Sequence, residues 1–155
     1  MPHRRRSLPL AAVFLAVALV GGCGTISTTA PAPTPADFQG IAGELTKRGI
    51  TIDNLVSGDA GCTDPILIPT AIGFTANGLD QAAPTRIYLY VFRNREAFER
   101  LRATIDGCAR SFVTDPETFE TIEQSPFVVA AQGPWAPDFE AALRDALQVA
   151  AGTGN

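Results

Sequence analysis

Histidine is almost absent from this 155-residue chain: the only one is His3, so nothing after it carries an imidazole. That absence excludes Ser-His-Asp and Cys-His catalysis, histidine metal ligands and a histidine pH switch from every residue beyond the first three. Lysine is nearly as scarce. Lys47 is the only one, and it stands beside Arg48 at the end of an expected helix, where positive charge suits the helix dipole better than it suggests a Schiff base. No apolar run is long enough to cross a bilayer. The stretch from Leu8 to Val20, interrupted by Pro9, is about thirteen residues where a spanning helix needs about twenty. There are three cysteines and no C-x-x-C pair, which removes the usual spacing of a redox dithiol. The formal charge is −4, and an acidic balance without clustered Lys and Arg disfavours nucleic acid as a partner.

What is present at the amino terminus is an address. His3, Arg4, Arg5 and Arg6 form a basic n-region, Leu8 to Val20 an apolar h-region, and Leu19-Val20-Gly21-Gly22-Cys23 closes it with small residues before a cysteine. Over residues 1–23 this resembles the signal peptide and lipobox of bacterial lipoproteins. The resemblance implies that residues 1–22 are a signal peptide removed on export and that the Cys23 sulfur receives a diacylglycerol, often with acylation of the new amino terminus. It places the chain on the bacterial cell membrane, lipid-anchored and facing outside the cytoplasm. Arg5-Arg6-Ser7-Leu8 lacks most of the remaining twin-arginine motif, so the general secretory route is expected. Removing residues 1–22 takes away Arg4, Arg5 and Arg6, leaving nine basic residues against sixteen acidic ones and a charge near −7. With Cys23 lipidated, Cys62 and Cys108 remain as a pair in a compartment where disulfides persist. A disulfide between them is implied.

Residues 23–36 follow as a tether carrying the lipidated cysteine, with Pro31, Pro33 and Pro35 alternating with small residues and almost nothing to bury. Residues 37–152 have the patterned hydrophobicity of one folded extracytoplasmic domain. Asp37 is placed to cap a helix with Phe38, Ile41, Ala42 and Leu45 on one face, ended by Gly49. Ile50 to Val56 begins with period-two alternation and predicts a strand. Ser57 to Pro65 is turn chemistry, Ile66 to Pro69 a short apolar link, and Ala71 to Ala76 a second strand. Asn77 to Thr85 reads as a loop before the strongest strand, Arg86 to Phe92. Asn94 caps a helix that aligns Phe98, Leu101, Ile105 and Cys108, which turns Cys108 toward the core. From Thr118 to Gln132 one strand is expected, firmest over Phe127 to Ala131, with Pro126 arguing for an edge or a bend. Pro137 opens a last helix with Phe139, Leu143, Ala146, Leu147 and Ala150 on one face. This order predicts an α+β two-layer sandwich: a mostly antiparallel sheet of about four strands with helices on one face.

Function is less legible. The strand from Arg86 presents Ile87, Leu89 and Val91 on one side and Arg86, Tyr88, Tyr90 and Phe92 on the other, so both sides are apolar or aromatic. If helices cover the aliphatic side, Arg86, Tyr88 and Tyr90 form an open binding surface for a peptide, a glycan or a partner protein, with Trp135 as a further candidate. The same aromatic residues would otherwise pack cross-strand or beneath a helix, with Trp135 against Phe139. Catalysis would have to use carboxylates. Asp59 and Asp64 are the nearest candidates for a paired site, Glu117, Glu120 and Glu123 look like a solvated edge, and the two aspartates lack the ligand pattern of a calcium loop. The expectation is a non-catalytic binding or sensor-type domain with no metal or cofactor, partnered by the membrane through its anchor and by an envelope protein or a small ligand. The alternative is a carboxylate-based cell-wall or glycan hydrolase.

Overall fold

The computed structural model describes residues 35–152, with side chains from Phe38 onward. The expected signal peptide (1–22), Cys23 and nearly all of the expected tether lie outside the described residues, as does the Asp37 side chain. Helix α1 spans Pro35–Lys47 and so begins two residues before the expected cap. Gly49 ends it at a φ of +84°, a left-handed conformation that glycine adopts without strain. Five strands follow: β1 Ile50–Ser57, β2 Ala71–Gly78, β3 Gln81–Val91, β4 Phe119–Gln124 and β5 Phe127–Gln132. Helix α2, Arg95–Ala109, joins β3 to β4, and α3, Pro137–Gly152, ends the domain. The sheet order is β1-β2-β3-β5-β4, with every neighbouring pair antiparallel.

The expected α+β architecture with an antiparallel sheet is therefore what the chain forms; two details extend it, and a third corrects the expected two layers with helices on one face. First, β3 starts at Gln81, because Gly78, Leu79 and Asp80 make a tight turn in place of the expected loop. Pro84 is tolerated there because β5 pairs with β3 only from Ile87 to Val91, leaving the earlier residues with a free side. Second, residues 119–132 are a hairpin, with Gln124 opposite Phe127 and Pro126 in the turn between them. The extra strand, β4, is an edge strand in which only Ile122 is buried, so its sequence shows little alternation. Third, the helices divide between the two faces of the sheet. Helices α1 and α3 pack Phe38, Ile41, Leu45, Phe139, Leu143 and Leu147 against Ile72, Phe74, Ile87, Leu89, Val129 and Ala131. On the other face, Phe98, Ile105 and Cys108 of α2 meet Ala71, Tyr90, Phe92, Val128 and Ala130, together with Ala60 and Leu67 from the β1–β2 connection. Helices on one face alone would have left β3 with an aromatic side in water, and fully burying each such side chain stabilises by about 1.5–3 kcal/mol.

Long-range caps hold the layers in place. The N–H groups of Asp138 and Phe139 donate to Asp80 at 3.0 and 2.9 Å, so the β2–β3 turn caps the first turn of α3. Beside it, Ala136 N donates to Gln81 Oε1 at 3.0 Å. Helix α2 is capped locally, by Asn94 Oδ1 accepting from Ala97 N at 2.9 Å. A Cys62–Cys108 disulfide ties the β1–β2 connection to the last turn of α2, with the Cα atoms 5.5 Å apart.

Candidate functional site

The position of α2 decides what the sequence-predicted aromatic surface is. Tyr90 is fully buried beneath α2 and donates its hydroxyl to the carbonyl of Ala60 at 2.8 Å. Trp135 is buried too, edge-on to Phe139 with ring centroids 6.4 Å apart. Tyr88 is half-covered, its ring 4.4 Å from that of Phe112. The open tyrosine face is thereby corrected: Tyr90 and Trp135 are packing residues, and only the margin of Tyr88 and part of Arg86 reach solvent. Burial pushes the Tyr90 hydroxyl well above the ordinary tyrosine range, with Tyr88 and Asp59 adding to the effect. Burial also raises Tyr88, with the Asp59 carboxylate second.

Arg86 is held in a clamp. Its Nη2 donates to Asp59 Oδ2 at 2.5 Å, its Nη1 to the carbonyl of Asn54 at 2.8 Å, and its guanidinium carbon lies 5.9 Å from the centre of the Tyr88 ring. Asp59 also accepts from Gly61 N at 3.0 Å through its other oxygen. The pair lies across Gly73, where an added Cβ would stand 2.6 Å from both Arg86 Nη2 and Asp59 Oδ2. Gly61 similarly leaves room for Phe112 and Tyr88, which would lie 2.5 and 2.8 Å from its Cβ. These contacts fasten residues 58–62 to the sheet rather than offer a free cation.

The carboxylates singled out for catalysis are dispersed into structural duties. Asp64 Oδ1 accepts from the N–H groups of Ile66 and Leu67 at 2.7 and 3.2 Å, which shapes the turn before β2. Glu123 pairs with Arg102 of α2 at 2.7 Å across the solvated edge. Asp59 is committed to Arg86, so the structure does not bring Asp59 and Asp64 together as a free pair. Among the described residues no group of three or more His, Cys, Asp or Glu side chains could hold a metal ion.

One concavity that the fold builds was not foreseen from sequence. A groove of about 690 Å³ runs between α1 and β1, lined by Phe38, Ala42 and Thr46 from one stripe of the helix and by residues 49–55. Phe38 and Ile50 form a buried apolar floor, while Thr46, Thr51, Asp53 and Asn54 stand at an exposed rim. Because β1 is an outer strand of the sheet, its outer backbone edge pairs with no other strand of the described domain. The regular part of that edge is Ile50 to Asp53. A bulge between Asp53 and Val56, with Asn54 at a φ of +50°, bends the remainder. The i, i+4, i+8 spacing of Phe38, Ala42 and Thr46 was visible in the sequence, but nothing in it showed that β1 would be an outer strand. No protein-family model, curated protein or solved structure matches the chain.

Proposed function

We propose that the chain is a bacterial lipoprotein, held on the membrane by a lipidated Cys23, that presents its α+β domain outside the cytoplasm for binding rather than catalysis. The observation that carries this reading is Leu19-Val20-Gly21-Gly22-Cys23 at the end of a basic-then-apolar leader. The cysteines support it. Cys62 and Cys108 stand at disulfide distance, which suits an oxidising compartment and leaves Cys23 as the odd one out. The α1–β1 groove is the surface on which binding is proposed, because an apolar floor beside the Ile50–Asp53 edge, which pairs with no other strand of the described residues, suits an extended polypeptide segment. A carboxylate hydrolase is the weaker reading, since Asp59 and Asp64 are each engaged in holding the β1–β2 connection.

Membrane partitioning tests the anchor. Wild-type protein expressed in a bacterial host is expected in the detergent phase, and Cys23→Ala in the aqueous phase or uncleaved. Equal partitioning of the two would refute the reading.

A further inference from the structure

Five large aliphatic side chains are exposed among the described residues: Val56, Ile66, Ile68, Leu79 and Val149. Four of them gather at one end of the domain. Helix α1 and β1 are joined through Arg48 and Gly49 and run in opposite directions, so the start of α1 lies beside the end of β1, where Phe38 and Leu55 line the same groove. Val56 is the next residue. Ile68 Cγ2 lies 3.9 Å from where a Cβ on Gly58 would stand, which brings the β1–β2 connection to that same strand end. Ile66 and Ile68 are turned outward on either side of Leu67, which is buried. Helix α3 starts at the opposite end, under Asp80. Its sixteen residues run about 24 Å, which returns Val149 toward the first end. Leu79, in the β2–β3 turn, is the exception at the far end.

The end that gathers the aliphatic side chains is also the end at which the chain enters the domain. Residues 24–34 alone separate Cys23 from the first residue of α1, and eleven residues span no more than about 40 Å whatever their conformation. Two of the charged side chains nearby have partners: Asp64 accepts from the Ile66 N–H, and Arg95 pairs with Glu99 at 2.9 Å. We propose that this end, carried by Val56, Ile66 and Ile68 with Val149, rests on the bilayer to which Cys23 is anchored. The proposal rests on the lipid-anchor reading. A short tether keeps the domain at high effective concentration near the surface, so a modest apolar patch suffices where free domain would not bind. Docking in this pose fixes the far end, with the β2–β3 turn and Trp135, away from the membrane.

Trp135 is the only tryptophan and lies at that far end, which makes quenching by brominated lipid a direct test. Lipidated Ile66→Trp and Leu79→Trp variants are reconstituted into vesicles of brominated phosphatidylcholine; both positions are more than half exposed, so folding is not at issue. The added emission of Ile66→Trp is expected to fall at least twofold and shift to the blue, while that of Leu79→Trp and of native Trp135 stays unchanged. Adding Ile68→Asp to Ile66→Trp is expected to restore most of the emission. Protein that floats with the vesicles but shows no quenching at Ile66→Trp, or equal quenching at both positions, overturns the docking and leaves the anchor intact. Protein that does not float overturns the anchor and the docking with it.

Discussion

Tyr90→Phe isolates one buried hydroxyl whose effect should depend on pH in a defined direction. At neutral pH the substitution removes the 2.8 Å bond to Ala60 and leaves that carbonyl without its donor in a place where Ala60 is itself buried. A loss of about 1–2 kcal/mol is expected, the net worth of a buried hydrogen bond plus part of the cost of an unsatisfied acceptor. In alkali the sign of the wild-type trend follows from where the protons sit. Burial keeps Tyr90 protonated in the folded protein beyond its ordinary range, whereas in the unfolded chain it ionises near pH ~10. Below that pH its contribution is fully present. Above it the unfolded state releases a proton that the folded state retains, so wild-type stability falls by up to about 1.4 kcal/mol per pH unit until the folded-state group titrates. Tyr90→Phe lacks this dependence, so the two proteins should converge between pH ~10 and ~11. Urea unfolding at a series of pH values, with constant m, reads both effects. Curves that stay parallel from pH 8 to 11.5, or a substitution without cost at pH 7, would refute the assignment of Tyr90 as a buried, hydrogen-bonded packing residue.

Two further perturbations address what holds the layers together. Replacing Cys62 and Cys108 together by alanine opens a loop with a sequence separation of 46 and should lower stability by about 4 kcal/mol; calorimetry showing a change below about 1 kcal/mol would mean that the disulfide does not constrain the domain. Asp80→Ala removes the cap that the β2–β3 turn supplies to α3 and should cost about 1 kcal/mol, with Asp80→Asn recovering part of it because its one amide oxygen replaces one of the two carboxylate oxygens that accept from Asp138 N and Phe139 N. Equal losses for the alanine and asparagine variants would show that the cap geometry is not what stabilises the helix.

The elements that could be read from the sequence were those whose pattern is local. The helix faces built on Phe38, Phe98 and Phe139, the caps at Asn94 and Gly49, and the strand from Arg86 all follow from spacing and side-chain type, and each sits close to its expected place. Edge strand β4 was missed for a physical reason: it buries only Ile122, and polar residues on a solvated edge carry no alternation to detect. The turn at Gly78 to Asp80 was read as part of a longer loop because its signal is backbone conformation, with Leu79 in the left-handed region at a φ of +54°.

The open aromatic surface failed on a signal that was present. A strand that is apolar on both sides asks for cover on both sides, and β3 meets that demand by lying in the middle of the sheet, with α1 and α3 on one face and α2 on the other. The groove beside β1 lay beyond reach because it depends on strand order, a long-range property. Cys108 shows the opposite case. Its place on the buried stripe of α2 was legible from the spacing of Phe98, Leu101 and Ile105, and that phase brings it to Cys62.

The central claim is that the protein works as a processed, lipid-anchored chain, and the intact mass of protein extracted from membranes tests it most directly. The account predicts an amino terminus at Cys23, a mass above that of residues 23–155 by at least one diacylglyceryl group, and no free thiol at Cys62 or Cys108. A membrane-extracted species with the unmodified mass of the whole chain, 16.3 kDa, or a mature chain beginning at Cys23 without lipid, would contradict it.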